Sequence, residues 1–282
     1  MTAGRRVWGW IAATALLVAC SATGVSAPSA SQTAPPPVAA PISTPRPMEP
    51  GPERVVQRVA LARPAEPPIA VRYDAALLAD HCADRDVPAP PATDVALTVL
   101  DRSYALPASY APTDLVPASS AGLTGSSGTK LVRSVVVDDL AAMAAAWREA
   151  GLSMIIESAY RSYANQAATF DSWESRLGYA AALVRSARPG HSEHQLGTAI
   201  DVTSPGWGGR FGDWAVESLE GAWMAENAWR YGFVMSYPAG SEAETCFSYE
   251  PWHYRWIGRE AAAGHRSSGL HLRQFLERHV GG

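Results

Sequence analysis

Pro189-Gly190-His191-Ser192-Glu193-His194-Gln195-Leu196-Gly197-Thr198-Ala199-Ile200-Asp201 is the stretch on which the reading of this chain turns. It begins as a polar, histidine-rich turn and passes into an apolar run, Thr198 to Thr203, that reads as a short buried strand. Leu152 to Ser158 is a second such run, and Phe233 to Tyr237 and Tyr249 to Trp256 are aromatic-rich and strand-like. Helical patterns lie between them. Val132 to Ala150 carries Asp138 and Asp139 early and stops at Gly151, Tyr163 to Arg185 is interrupted at Gly178, and Glu217 to Tyr231 follows. The helices precede and interrupt the strands without a βαβ rhythm, and no glycine-rich phosphate loop follows a strand. The pattern predicts an α+β fold with a small antiparallel sheet and surrounding helices.

Composition sets the outer limits. With 47% hydrophobic and 18% charged residues in 282, the chain can build a soluble core, which excludes full disorder and a multi-span membrane protein. A net charge of −4, with 22 Arg against a single Lys (Lys130), argues against the basic face of a nucleic-acid binder. Three cysteines exclude a disulfide scaffold or a multi-cysteine zinc ribbon. Tryptophan occurs at positions 8 and 10 and then not again until Trp147, so the ordered domain is expected toward the C-terminal side.

The first residues read as an export signal. Arg5 and Arg6 precede an uncharged run, Val7 to Ala19, which is 13 residues long. That is short of the roughly 20 residues a spanning helix needs and suits a signal-peptide core. Its end, Leu17-Val18-Ala19-Cys20, resembles a bacterial lipobox, in which the cysteine is lipidated after cleavage. From Ser21 to Pro68 the composition changes: 12 of the 22 prolines fall here among Ala, Ser and Thr. Such a segment cannot offset its ordering entropy and is expected as a solvated tether, spanning about 40 Å as a coil and ~150 Å when extended. The expected organisation is a signal peptide over 1–19, a tether over 20–69 and a folded domain over 70–282. The domain would stand outside the cytoplasm, lipid-anchored to a bacterial membrane through Cys20 and facing the cell wall.

Two segments carry chemistry: the opening stretch and Tyr249-Glu250-Pro251-Trp252-His253-Tyr254. Together they supply imidazoles and carboxylates in the combination a hydrolytic zinc site requires, three N/O ligands with one open position. A carboxylate that does not bind the metal then serves as general base. His194, Asp201 and His253, with Glu250 three residues before His253, meet that specification.

The same residues carry a family resemblance. Ser192-x-His194-x-x-Gly197-x-Ala199-x-Asp201 resembles the first signature of the VanY-type D-alanyl-D-alanine carboxypeptidases, zinc peptidases of family M15 (subfamily M15B), and Glu250-Pro251-Trp252-His253-Tyr254 resembles the second. Ser158-x-Tyr160-Arg161-Ser162-x-x-x-Gln166 is similar to a third, and the likeness runs from about Leu97 to Leu276. The resemblance implies a hedgehog/D,D-peptidase-like fold with one Zn²⁺ per chain held by His194, Asp201 and His253. Glu250 would deprotonate the attacking water and reprotonate the leaving amine, and Arg161 would stabilise the oxyanion. Ser158, Gln166, Ser192, Tyr237 and Trp252 would meet the peptide. His191 has no place in the signature and stays outside the metal set.

The implied activity is removal of the C-terminal D-alanine from peptidoglycan stem peptides by a monomer. L,D-carboxypeptidase action on the tetrapeptide and a non-catalytic, zinc-bearing wall-binding domain remain alternatives. With Cys20 assigned to lipid, Cys82 and Cys246 are left over; in an oxidising compartment they are expected to pair, the alternative being two buried thiols.

Overall fold

The computed structural model describes residues 81–90, 92, 94–123, 128–207, 214 and 217–279. The signal peptide, Cys20, the tether and the first residues of the expected domain lie outside this set. Among the described residues no helix is long and apolar enough to cross a membrane.

The described chain is an α+β fold organised on one antiparallel sheet. Strands β1 (Val87–Pro88) and β2 (Tyr104–Ala105) pair in parallel, and β3 (Leu115–Pro117) pairs with β4 (Leu131–Arg133) antiparallel. The main sheet runs β5 (Ile155–Ser158), β6 (Ala199–Thr203), β8 (His253–Trp256), β7 (Phe233–Met235), with every neighbour antiparallel. Side chains alternate across a strand, and here the alternation separates two jobs. Ile200 and Val202 of β6 and Tyr254 and Trp256 of β8 enter the main hydrophobic core. Asp201, His253 and Arg255 occupy the intervening positions and therefore the opposite face.

Helix α1 (Val137–Glu149) closes the core side. Leu140, Met143, Ala144 and Trp147, at i, i+3, i+4 and i+7, form its buried stripe against Ile156, Ile200 and Phe233. Asp138 and Asp139 sit in its first turn, where the helix dipole favours negative charge. The helical pattern in the sequence begins at Val132, but the helix begins five residues later. Leu131–Arg133 is drawn into the β3–β4 ladder and Ser134–Val136 forms a 3₁₀ turn, as suits a run of β-branched valines.

Helices α2 (Tyr163–Leu177) and α3 (Tyr179–Leu183) are separated at Gly178, whose φ of +78° and ψ of 159° are out of reach for other residues. Ser162 caps α2 by accepting from the Asn165 N–H. The expected helix over Glu217–Tyr231 resolves into α4 (Leu219–Asn227) and a 3₁₀ turn, Ala228–Tyr231. The expected strand over Tyr249–Trp256 narrows to β8. Pro251 has no N–H to donate, and the His253 N–H bonds back to the Glu250 carbonyl at 3.1 Å, making a turn of the first residues. Three later helices, α5 (Glu242–Thr245), α6 (Arg259–Ser268) and α7 (Leu272–His279), complete the described fold. Leu272, Phe275 and Leu276 of α7 pack a second cluster with Val99, Tyr104, Val234 and Ile257.

Candidate active site

The site is built on the polar face of β6 and β8. Asp201 stands opposite His253 in the β6–β8 register and opposite Ser158 in the β5–β6 register. His194 arrives from the 3₁₀ turn Glu193–Leu196 that leads into β6. Ser192 caps that turn through its hydroxyl, which accepts the His194 N–H at 3.3 Å. Gly197 ends it with φ +76°, and a Cβ there would meet Arg133 Cγ at 2.9 Å and Leu115 Cδ2 at 3.1 Å. Glycine is needed both for the backbone angle and for the close approach of β3 and β4.

Each imidazole has one nitrogen committed away from the centre. His194 Nδ1–H donates to the Ala159 carbonyl at 2.7 Å, and Nε2 lies 3.2 Å from Asp201 Oδ2. His253 Nε2 lies 2.9 Å from Glu193 Oε2, and its Nδ1 lies 3.0 Å from Asp201 Oδ1. One donor atom from each of His194, Asp201 and His253 falls within 4.8 Å of the others, and all three residues are buried. Two ring nitrogens and a carboxylate oxygen converging in this way fit a divalent metal, and outward hydrogen bonds from the far imidazole nitrogens are the usual support of such ligands.

The electrostatics agree. Burial pushes the His194 imidazole below its ordinary range, toward the neutral form a ligand must have. Burial opposes ionisation of Asp201, but the charge and hydrogen bonds of the two histidines outweigh it and hold the carboxyl low. Burial also opposes the His253 cation, yet hydrogen bonds to Asp201 and Glu193 raise it to about 10. A cation bound there would compete with a proton for His253 Nδ1.

Glu250 is half-buried at the turn before β8, outside the ligand cluster. Burial pushes its carboxyl up to about 8, against the pull of His253. A carboxylate raised in this way is suited to exchanging protons near neutrality. Arg161 lies beside Asp201, Nη2 3.8 Å from Asp201 Oδ2, with its backbone N–H donating to the His194 carbonyl. The guanidinium is fixed by Nη1 to Gln166 Oε1 at 2.9 Å and Nη2 to Ser158 Oγ at 3.2 Å. Tyr237 lies with its ring 5.1 Å from that of His253 and 5.0 Å from that of Phe247. Trp252 is half-buried, and its carbonyl accepts the Val202 N–H.

Two of the expected substrate contacts, Gln166 and Ser192, also make bonds within the protein. Gln166 is buried, and its amide is consumed by Arg161, by the Ala187 carbonyl at 2.6 Å and by Ser186 Oγ. It holds the arginine in place. The Ser192 hydroxyl is engaged as a helix cap. His191 uses both ring nitrogens on the Asp101 carbonyl and Asp86 and takes no part in the ligand cluster. Cys82 and Cys246 are joined by a disulfide, Cα–Cα 5.5 Å, which ties the first described residues to the segment entering Phe247.

Sequence reasoning missed Glu193. It occupies an unassigned position of the first motif, yet it is buried beside His253. The one available signal, an acidic residue next to a ligand histidine, is weak without its partner in view.

Residues 129–259 match the family profile of VanY, described as D-alanyl-D-alanine carboxypeptidase. YodJ of Bacillus subtilis (strain 168), which carries the carboxypeptidase name, is 34% identical over 183 residues, or 64% of this chain and 67% of that protein. The chain belongs to the VanY-type carboxypeptidase family. A D-alanyl-D-alanine carboxypeptidase of Enterococcus faecalis (strain ATCC 700802 / V583) is 34% identical over 141 residues, 46% of this chain and 49% of that relative. The chain thus spans about half the length of this second relative. Among solved structures, the LdcB LD-carboxypeptidase superposes with a TM-score of 0.56 at 35% identity, covering 64% of this chain and 84% of the other. VanYB in complex with D-alanine-D-alanine gives 0.55 at 29% identity, covering 65% and 98%. These VanY-type and LdcB-type neighbours share the α+β fold described above.

Proposed function

We propose that this protein is a zinc-dependent carboxypeptidase that removes the C-terminal D-alanine from peptidoglycan stem peptides. The observation that carries the reading is the convergence of His194, Asp201 and His253 within 4.8 Å, with Glu250 outside the ligand set and Arg161 fixed beside Asp201. A purely binding domain has no use for either of the last two. A VanY variant of similar structure is described in complex with Zn(II), which supports zinc as the metal here. When bound, the ion would polarise the scissile carbonyl and favour ionisation of the attacking water. Glu250 takes the proton from that water and passes it to the departing amine. Arg161 donates to the oxygen that gains charge as the carbonyl becomes tetrahedral, and Gln166 and Ser158 hold its donors in place so that no reorganisation is needed at that moment.

The LdcB likeness gives a specific reason to carry L,D-carboxypeptidase action on the tetrapeptide as a second reading. Incubation with muropeptides of defined length and mass spectrometry of the products separates the two. Loss of one alanine from the pentapeptide alone supports the first, shortening of the tetrapeptide the second, and no change in either overturns both. Glu250→Ala should abolish turnover while the metal stays bound. We further propose that cleavage before Cys20 and lipidation there anchor the chain outside the cytoplasm, with the Pro/Ala/Ser-rich segment as tether.

A further inference from the structure

His253 and Arg255 are two apart on β8 and so project from the same face of the strand. Glu193, on the turn that carries His194, reaches across both. Its Oε2 is 2.9 Å from His253 Nε2 and accepts the Ser236 hydroxyl at 2.6 Å, while its Oε1 accepts from Arg255 Nη1 at 2.9 Å. Arg255 is fully buried, and its Nη2 donates to the carbonyls of Ala96 at 2.8 Å and Thr98 at 2.6 Å. Glu193 itself is 4% exposed. A carboxylate so enclosed is costly unless its charge is paired and its oxygens are filled, and both conditions are met.

The position of the carboxylate fixes the histidine. An imidazole can ligate a metal through either nitrogen, and the choice follows the hydrogen bond made by the other one. Here Nε2 faces a permanent acceptor, which leaves Nδ1 turned to Asp201 and the ligand cluster. Glu193 is also the covalent neighbour of His194. Any displacement of the turn thus moves one ligand directly and the other through this bond.

We propose that Glu193 is a positioning residue for the metal centre: it holds His253 in the tautomer and orientation that present Nδ1 to the metal, with Arg255 as its buried counter-ion. This rests on the reading of His194, Asp201 and His253 as metal ligands, and the experiment keeps the two apart. The metal dissociation constant is measured by chelator competition on the purified full-length chain for wild type, Glu193→Gln and His194→Ala. The visible spectrum of the cobalt(II)-loaded forms is recorded on the same preparations. Mutation of an outer hydrogen-bond partner of this kind weakens metal binding about 10–100-fold; Glu193→Gln keeps one uncharged acceptor but must turn its NH2 toward His253 or Arg255, and should show that weakening together with a shifted cobalt band. His194→Ala should bind neither metal measurably.

Full binding by His194→Ala would overturn the ligand assignment itself. Loss in His194→Ala with wild-type affinity and an unchanged band in Glu193→Gln would overturn the positioning role alone. Glu193→Gln leaves Arg255 without its full counter-charge and can impair folding. The double variant Glu193→Gln/Arg255→Met removes both charges together and is measured in parallel. If the double variant folds and binds cobalt like wild type, Glu193 is a structural partner of Arg255 only, and the inference fails.

Discussion

Breaking the Cys82–Cys246 disulfide tests how the described domain is held closed. The bond joins residues 164 apart in sequence and so encloses most of the described chain, though not β8, α6 or α7. On the chain-entropy relation, opening a loop of that length is worth about 5 kcal/mol, at the upper end of what native disulfides contribute. The folded state should survive the loss, because other bonds hold the same N-terminal segment. Asp84 pairs with Arg102 at 2.7 Å, and Asp86 pairs with Arg188 at 2.8 Å and His191 at 2.9 Å. The effect therefore falls on the unfolded ensemble. For a domain of roughly 200 residues, each kcal/mol moves the melting temperature by about 2–4 °C, so Cys82→Ala/Cys246→Ala should melt about 10–20 °C below the oxidised protein. Cys246 has a φ of 65°, a left-handed conformation that disfavours a side chain. Cys82→Ala/Cys246→Gly should accordingly recover about 1 kcal/mol of the loss. The assay is calorimetric melting of oxidised, reduced and substituted protein, with thiol titration to confirm the oxidation state. A fall of less than about 3 °C, or two free thiols in the native oxidised protein, would refute the reasoning. So would a double alanine variant that melts above the alanine/glycine one.

Gly197→Ala must hold an alanine at φ +76° and push Arg133 and Leu115 aside; we expect a loss of about 2–4 kcal/mol in chemical denaturation, with weakened metal binding because the His194 turn moves. Arg161→Ala should lower kcat by about 10²–10³ with little change in KM and with the metal retained. Arg161→Lys should restore only part of that rate, since an ammonium cannot make the two-donor contact to Gln166 and Ser158; a fall in melting temperature with normal turnover would make the residue structural. Cys20→Ala should release the protein from membranes in a fractionation experiment while leaving the kcat of the solubilised chain unchanged, and retention on the membrane would refute the lipid anchor.

What the sequence made legible follows from how local each signal is. The juxtaposition of His194 and Asp201 could be read because they are joined by a single turn and strand, and because Gly197 and Ala199 have no room for larger side chains. Ala199 is fully buried, and the Gly197 Cα faces Arg133 and Leu115. Gly178 likewise announced the break between α2 and α3. Features that depend on distant partners were hidden. Nothing near Val132 reports that Leu115–Pro117 will claim it for a strand, so the helix was read five residues too early. The orientation of Gln166, which spends its amide on Arg161 and the Ala187 carbonyl, depends on a chain segment some twenty residues further on. Glu193 needed two partners about 60 positions away.

A bulge in β5 explains why the site accepts Asp201 at all. Ile155 pairs with Thr203 and Ile156 with Val202, so an unbroken ladder would set Glu157 against Asp201. Residues directly opposite one another in a sheet face the same side, and Glu157 would then bring a further carboxylate against Asp201, on the face where the cation belongs. The register shifts by one residue between Ile156 and Ser158, and Ser158 takes the opposing place instead. Its hydroxyl accepts from Arg161, and the next residue, Ala159, supplies the carbonyl that fixes the His194 ring. One extra residue thus replaces a repelling anion with a neutral acceptor and delivers the support for both the arginine and the first histidine. A one-residue slip normally turns a whole strand inside out; here it is confined to a bulge. Ile156 stays in the core while the polar end of β5 is re-aimed at the cluster of His194, Asp201 and His253.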